Sequence, residues 1–594
     1  MDRILEQAAK WGIETSHYDG LGRHWQVEPA VLARILDAIG ARAGDPPRQP
    51  DLPAEPSAVA CAFQGADALP QRSWGIAVQL YGVRSRRNWG HGDFTDLANL
   101  IEMASSLGAV GIGLNPMHAL FDDRPDEASP YFPSSRLFLN PLYIDVEAIP
   151  EFPRAAMAQF HPAIAELRER ELVEYVSVAD AKSKALRLAF DAFRERATED
   201  RQRQFDDFRR ARGAQLEAFA AFDVLRRRFG KPWPEWPAEF QHPGKHTFAQ
   251  LRSTDAEQLD YIAFVQWIAD QQLAACRDKA RHVGLPIGLY LDLAVGVRSD
   301  GFDAWSNQHF VLPSLEIGAP PDQLNTQGQA WGLAGTNPAA LIESGCEPFR
   351  EVMRAAMQYA GAIRIDHILG LKRFYLIPRG YRADQGAYVP FPFEELLAAA
   401  AQESVANRCI VIGEDLGTVP PGFQDTLARY GIWSFQVMLF QRAGDGGFIA
   451  PDLYRENALV TFATHDLPTL AGWVSGHDLA VKRGLNIDPG ESDADRAAAK
   501  DALGRSMAWR GLPAVDFLTI TRFLADTPSR LLMVSLEDAL GDVEQVNLPG
   551  TVDEHPNWRR RLSVPLEDLL GSSALPAVAD IMDTSGRSSR TAQR

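Results

Sequence analysis

With 594 residues, 46% of them apolar and 23% charged, the chain has room for one large barrel with appendages or for about three or four ordinary domains. Its formal net charge of −18, unbroken by any Lys/Arg block, excludes nucleic acid and anionic membranes as partners and leaves a neutral or cationic substrate. Four scattered cysteines (61, 276, 346 and 409) without a Cys-x-x-Cys pair set aside a disulfide framework and a zinc site, and fit free thiols in a reducing cytoplasm.

Residues 1–43 read as a small helical head. Ile4, Ala8, Trp11 and Ile13 form one apolar face, and Val31, Leu32, Ile35, Leu36 and Ile39 keep helical spacing up to Gly40. The start lacks a basic stretch followed by an apolar core, so no signal peptide is expected. No apolar run reaches the roughly eighteen residues of a membrane span. Prolines then stiffen a linker over 44–73. From residue 74, eight apolar runs read as strands buried on both faces: 74–83, 110–115, 287–294, 363–367, 409–414, 433–440, 459–465 and 531–536. Segments with helical patterning, such as 94–107, 346–360 and 393–406, lie between them. Eight strands with right-handed helical crossovers predict an α/β fold, a (β/α)8 TIM barrel over 74–570. The stretch from about 150 to 280, rich in Ala, Arg, Glu and Phe, reads as a helical insertion beside the cleft. Residues 571–594 show no periodicity and read as a disordered tail.

Three of the runs end in an acid: Asp366 after Ala-Ile-Arg-Ile, Glu414 in Gly-Glu-Asp-Leu-Gly, and Asp466 in Thr-His-Asp. The C-terminal ends of barrel strands are where such folds place active sites. Two carboxyls flanking a glycosidic bond suffice for retaining sugar transfer, one ionised to attack the anomeric carbon and one protonated to release the leaving oxygen; a third can stabilise the transition state. Arg364 shares a strand face with Asp366 and is expected to keep it ionised. Repulsion from Asp366 and Asp466 is expected to raise the pKa of Glu414. The residues by themselves also admit a structural Arg364–Asp366 ion pair, or a metal site of His367, His465 and the three acids. No His-x-His or His-Glu-x-x-His spacing supports the metal. The segment 318–335 reads as a surface loop, but Asp322, Gln329 and Trp331 within it also suit a lid over a glucan, which offers apolar faces and hydroxyl rims.

Several stretches carry a family resemblance: Ser129-Pro-Tyr-Phe-Pro-Ser-Ser-Arg136, Ile287-Gly-Leu-Tyr-Leu-Asp292, 318–333, Arg364-Ile-Asp-His367, Gly413-Glu-Asp-Leu-Gly417, Thr464-His-Asp466, Asn547-Leu-Pro-Gly-Thr551 and Pro556-Asn-Trp-Arg-Arg560. In this order the chain resembles the 4-alpha-glucanotransferases (amylomaltases or disproportionating enzymes), relatives of the alpha-amylases, over roughly residues 74–570. The resemblance implies transfer of alpha-1,4-glucan segments with retention. Asp366 would be the nucleophile, Glu414 the general acid/base and Asp466 the transition-state stabiliser. Arg364, His367 and His465 would hold the nucleophile or sugar hydroxyls. Tyr131 would stack below the donor site, Trp331 would cover it, and Asp292, Asp322 and Gln329 would complete the substrate contacts. The implied partners are malto-oligosaccharides and starch- or glycogen-derived glucans, with no metal or organic cofactor and a cytoplasmic setting. Two departures stand out. Ala334-Gly335 replaces a pair of prolines and implies a more flexible lid, and Trp473-Val474 replaces a pair of tryptophans and implies a lost acceptor contact. An alpha-glucan hydrolase with the same acids and a silent glucan-binding protein remain alternatives at this level.

Overall fold

The head comes first in the computed structural model, which describes residues 2–41, 61–66, 68–242, 244–321, 326–512 and 514–590. Helices α1 (Asp2–Lys10) and α2 (Pro29–Ala38) flank an antiparallel hairpin of β1 (Ser16–Tyr18) and β2 (His24–Gln26). The hairpin corrects the all-helical expectation. Its turn is made by Asp19, whose carboxylate accepts from the Leu21 and Arg23 backbone N–H groups, and three-residue strands leave too little alternation to read. Of the expected linker, residues 44–60 and 67 lie outside the described residues.

The barrel opens with β3 (Ser73–Val78), helix α3 (Phe94–Leu107) and β4 (Gly111–Leu114). A small pair, β5 (His118–Ala119) and β6 (Ser135–Leu139), precedes six helices: α4 (His161–Glu169), α5 (Tyr175–Arg196), α6 (Glu199–Phe229), α7 (Ala238–Gln241), α8 (Lys245–Thr254) and α9 (Ala256–His282). Long α9 packs on both α6 and α3, so the insertion forms a layer against the barrel's own helices. Next come β7 (Gly288–Leu293), β8 (Val311–Ala319), β9 (Gln329–Thr336), β10 (Ala362–Ile365), β11 (Arg373–Pro378) and β12 (Ala387–Pro390). The last strands are β13 (Ile410–Gly413), β14 (Trp433–Val437), β15 (Ala458–Thr461) and β16 (Leu531–Ser535).

Strands β3, β4, β7, β10, β13, β14, β15 and β16 close a parallel barrel in that order, β16 returning to β3. Each coincides with one of the eight apolar runs. Nearly all their residues are buried, as expected for a sheet with side chains filling its interior and helices covering its outside.

Two further elements depart from the sequence reading. Among the described residues of 318–335, most belong to paired strands rather than a loop: β8 and β9 join β11 and β12 in an antiparallel sheet of order β12-β11-β8-β9. Glycines 318, 332 and 335 interrupt the alternation that would have announced these strands. Ala334 and Gly335 sit inside β9, paired with Glu316 and Leu312, and not in a free lid end. A side chain at Gly335 would come within 2.8 Å of Leu315 Cβ, so this position is closely packed. The tail is also ordered through residue 590. Leu575–Thr584 forms a helix that buries Leu575, Val578, Ala579 and Met582. Beyond it Arg587, fully buried, donates to the carbonyls of Ser73, Ala525, Thr527 and Ser529. No helix among the described residues is long and apolar enough to cross a membrane.

Candidate active site

The ladder of the barrel sets the position of the acids. Asp366 and Glu414 each stand one residue beyond their strand, yet their N–H groups still bond across it, Asp366 to Leu293 O at 3.1 Å and Glu414 to Ile365 O at 3.0 Å. Both are thereby held at the C-terminal face. In the same ladder Arg364 of β10 lies opposite Asp292 of β7. Its guanidinium reaches both Asp292 oxygens at 2.8 Å and Asp366 at 2.8 Å. The Tyr131 hydroxyl donates to Asp292 on the other side.

His367 turns the chain sharply. Its left-handed backbone (φ 47°) is unusual for a residue with a side chain and directs its N–H to Glu414 Oε2 at 2.9 Å. The other carboxylate oxygen of Glu414 accepts from Leu416 N–H at 2.8 Å, so both oxygens are fixed. The Trp331 indole meets the His367 ring edge-on, centroids 5.2 Å apart, and donates to Gln329 at 3.2 Å. Trp331 thus reaches the site from β9, with Gln329 behind its indole. Asp322 lies outside the described residues.

Asp466 is not at a strand end. β15 stops at Thr461, and Asp466 follows in a loop braced from far along the chain. Asn547, 81 residues downstream, donates to its carboxylate at 2.6 Å, and Gln545 donates to its backbone oxygen at 2.8 Å. His465 Nε2 lies 3.4 Å from the Asp466 carboxylate, while its Nδ1 faces the Tyr131 hydroxyl at 3.3 Å. The rings of Tyr131 and His465 stack at 4.7 Å, and Trp558 packs 5.3 Å from each. Trp558 itself has a left-handed backbone (φ 60°), a strained state for a bulky residue. Asn547, Gln545 and Trp558 have no assigned role in the sequence reading. Two of them lie in stretches that carry the resemblance, which was the available signal.

Electrostatics modify two expectations. Asp366 is pushed up to about 6, mainly by burial and further by the charges of Asp292 and Glu414, with Arg364 opposing. Arg364 therefore limits the rise but does not hold Asp366 in the ordinary carboxylate range. Glu414 is raised as expected, but burial is the main cause rather than repulsion from Asp366 and Asp466; Arg364 and the two backbone donors oppose it. At Asp466 the effect of burial is outweighed by His465 and by the Asn547 amide, and the carboxyl titrates low. His465 is correspondingly raised by Asp466. A cavity of about 120 Å³ is lined by Tyr131, Tyr290, Asp292, Arg364, Phe435 and His465, with apolar walls and a few converging polar groups.

Comparison with known proteins shows the family and the fold. Residues 78–567 match a family model described as 4-alpha-glucanotransferase. A 4-alpha-glucanotransferase of Mycobacterium tuberculosis is 37% identical over 543 residues, covering 86% of this chain and 75% of the relative. One from Haemophilus influenzae is 37% identical over 554 residues, covering 86% and 79%. Among solved structures, the amylomaltase from Corynebacterium glutamicum superposes with a TM-score of 0.83 at 28% identity, covering 98% of this chain and 99% of that one. The amylomaltase from Streptococcus agalactiae in complex with acarbose shares the fold at a TM-score of 0.71 and 20% identity, covering 87% and 100%.

Proposed function

The chain belongs to the 4-alpha-glucanotransferase family, and from that premise we propose that it moves alpha-1,4-glucan segments between malto-oligosaccharides by double displacement on Asp366. The supporting observation is the unequal setting of the two neighbouring carboxyls. Both are raised by burial, but Asp366 is paired with a permanent cation, while both oxygens of Glu414 are held by backbone N–H groups. An acid and a nucleophile are best separated by environments that push them apart. In the first half-reaction an Asp366 oxygen bonds to the anomeric carbon as the glycosidic bond breaks, and Glu414 gives its proton to the departing glucan oxygen. In the second, the Glu414 carboxylate takes the proton of an acceptor 4-hydroxyl, whose oxygen displaces Asp366 from the same carbon. The product keeps the alpha configuration.

Asp466, oriented by Asn547 and His465, accepts hydrogen bonds from sugar hydroxyls that tighten as positive charge develops on the ring. Tyr131, held by Asp292 and His465, presents an aromatic face to the donor sugar. Trp331 covers the glycosyl intermediate and favours an acceptor glucan over water. These steps need no metal or organic cofactor.

The decisive experiment uses Glu414→Gln with maltotriosyl fluoride. Fluoride leaves without protonation, and glutamine cannot activate an acceptor, so the glycosyl-enzyme accumulates. Peptide mass spectrometry should find the added sugar on Asp366. Fluoride release with an adduct on another residue, or with no adduct, overturns the assignment.

A further inference from the structure

We infer that the N-terminal head braces the β8–β9 hairpin, with Gly20 and Glu14 as positioning residues that keep Trp331 beside His367. The inference rests on the reading of Trp331 as a cover for the intermediate. Gly20, in the turn between β1 and β2, donates its backbone N–H to Pro321 O at 2.9 Å, just past the end of β8. That turn is stiff. The Asp19 carboxylate is buried and accepts from Leu21 N–H, Arg23 N–H, Arg23 Nε and the Trp25 indole at 2.7–2.9 Å.

The head holds the opposite edge of the same sheet as well. Glu14 donates its N–H to Tyr388 O on β12 at 3.0 Å, and its carboxylate pairs with Arg373 on β11. Gly12 has a left-handed backbone (φ 69°), and an added Cβ would lie 3.0 Å from Pro390 at the end of β12. The His17 ring fits edge-on against Tyr375 and Tyr388. The head therefore spans the sheet from β12 to Pro321, just past the end of β8. The sheet in turn meets His367 twice, through Trp331 on β9 and through Phe374 on β11 at 6.3 Å. β8 is held by β11, but β9 is the edge strand and pairs only with β8 within this sheet, so the position of Trp331 over the site depends on what grips this end of the sheet. Losing one net hydrogen bond shifts such an equilibrium roughly two- to tenfold.

Gly20→Pro in the full-length protein removes the N–H donor, and Gly20→Ala retains it. With maltotriose, the ratio of hydrolysis to transfer and the KM for an acceptor glucose are measured together with thermal unfolding. Gly20→Pro should raise the ratio and the acceptor KM by roughly two- to tenfold, more than it changes donor cleavage, and Gly20→Ala should restore both. Glu14→Gln, which leaves the turn intact, should move both in the same direction and decides the matter if Gly20→Pro does not fold. Parent-like ratio and acceptor KM in Gly20→Pro, or an equal change in Gly20→Ala, overturn the inference. Trp331→Ala separates the two levels. If it shifts the ratio and Gly20→Pro does not, the cover stands and the brace falls; if neither shifts it, the cover itself fails.

Discussion

Arg364 and Arg87 each gather acids in the interior, Asp292 and Asp366 around one, Asp93, Asp96 and Asp145 around the other. Around Arg87 the three acidic side chains are 2%, 0% and 5% exposed. Their oxygens serve the fold: Asp93 and Asp96 form a capping box at the start of α3, and Asp145 accepts from the Thr95 hydroxyl and the Glu147 N–H. Lys182 from the insertion stands nearby, buried, with its ammonium on the Leu142 and Ile144 carbonyls. Around Arg364 the side chain of Asp366 keeps 19% exposure, and Asp466 across the mouth keeps 46%. Burial and ion pairing are common to both clusters. What separates them is an open face with acid oxygens turned to it.

Removing Asp366's charge is the harshest way to break this contrast. Asp366→Asn should lower transfer from maltotriose on the order of 10⁴-fold or more while the protein stays folded, because the covalent step needs an ionised oxygen. Initial rates alongside circular dichroism check it, and near-normal turnover in a folded variant would place the two clusters in one class. The mirror experiment is Arg87→Met. It removes the guanidinium paired with three buried acids, leaving only the Lys182 ammonium nearby, and should cost about 3 kcal/mol of stability, read from denaturant midpoints, with turnover per folded molecule unchanged.

A finer test uses pH. A carboxyl raised to about 6 loses its charge as pH falls through that value, so kcat/KM should have an acid limb near 6, dropping about tenfold for each further pH unit. Asp292→Asn removes one of the charges that raise Asp366 and should move the limb to lower pH. A limb that stays in place would show that Asp292 does not act on the nucleophile electrostatically.

The barrel was legible because strands buried on both faces are continuous apolar runs, and an acid closing such a run is conspicuous. That logic put Asp366 and Glu414 at strand ends, where the structure has them. It reached Asp466 for an incomplete reason, since the strand before it ends at Thr461 and the residue is placed by Asn547 and Gln545. Such long-range bracing leaves no local pattern. The antiparallel sheet was missed because glycines and prolines break its alternation. The helix Leu575–Thr584 did carry its period, at positions 575, 578, 579 and 582, but the polar residues after it hid the pattern in one long segment.

Arg587 has a consequence for synthesis. β3 is made before β4 and pairs with it, but its other edge waits for β16, made more than 450 residues later. Only then can Arg587 tie the Ser73 carbonyl to those of Ala525, Thr527 and Ser529, fastening the first barrel strand to the approach of the last. Ring closure therefore follows the synthesis of β16. A nascent chain halted before β16 carries an open seam of unpaired backbone along β3, the kind of edge that recruits chaperones or a neighbouring nascent chain.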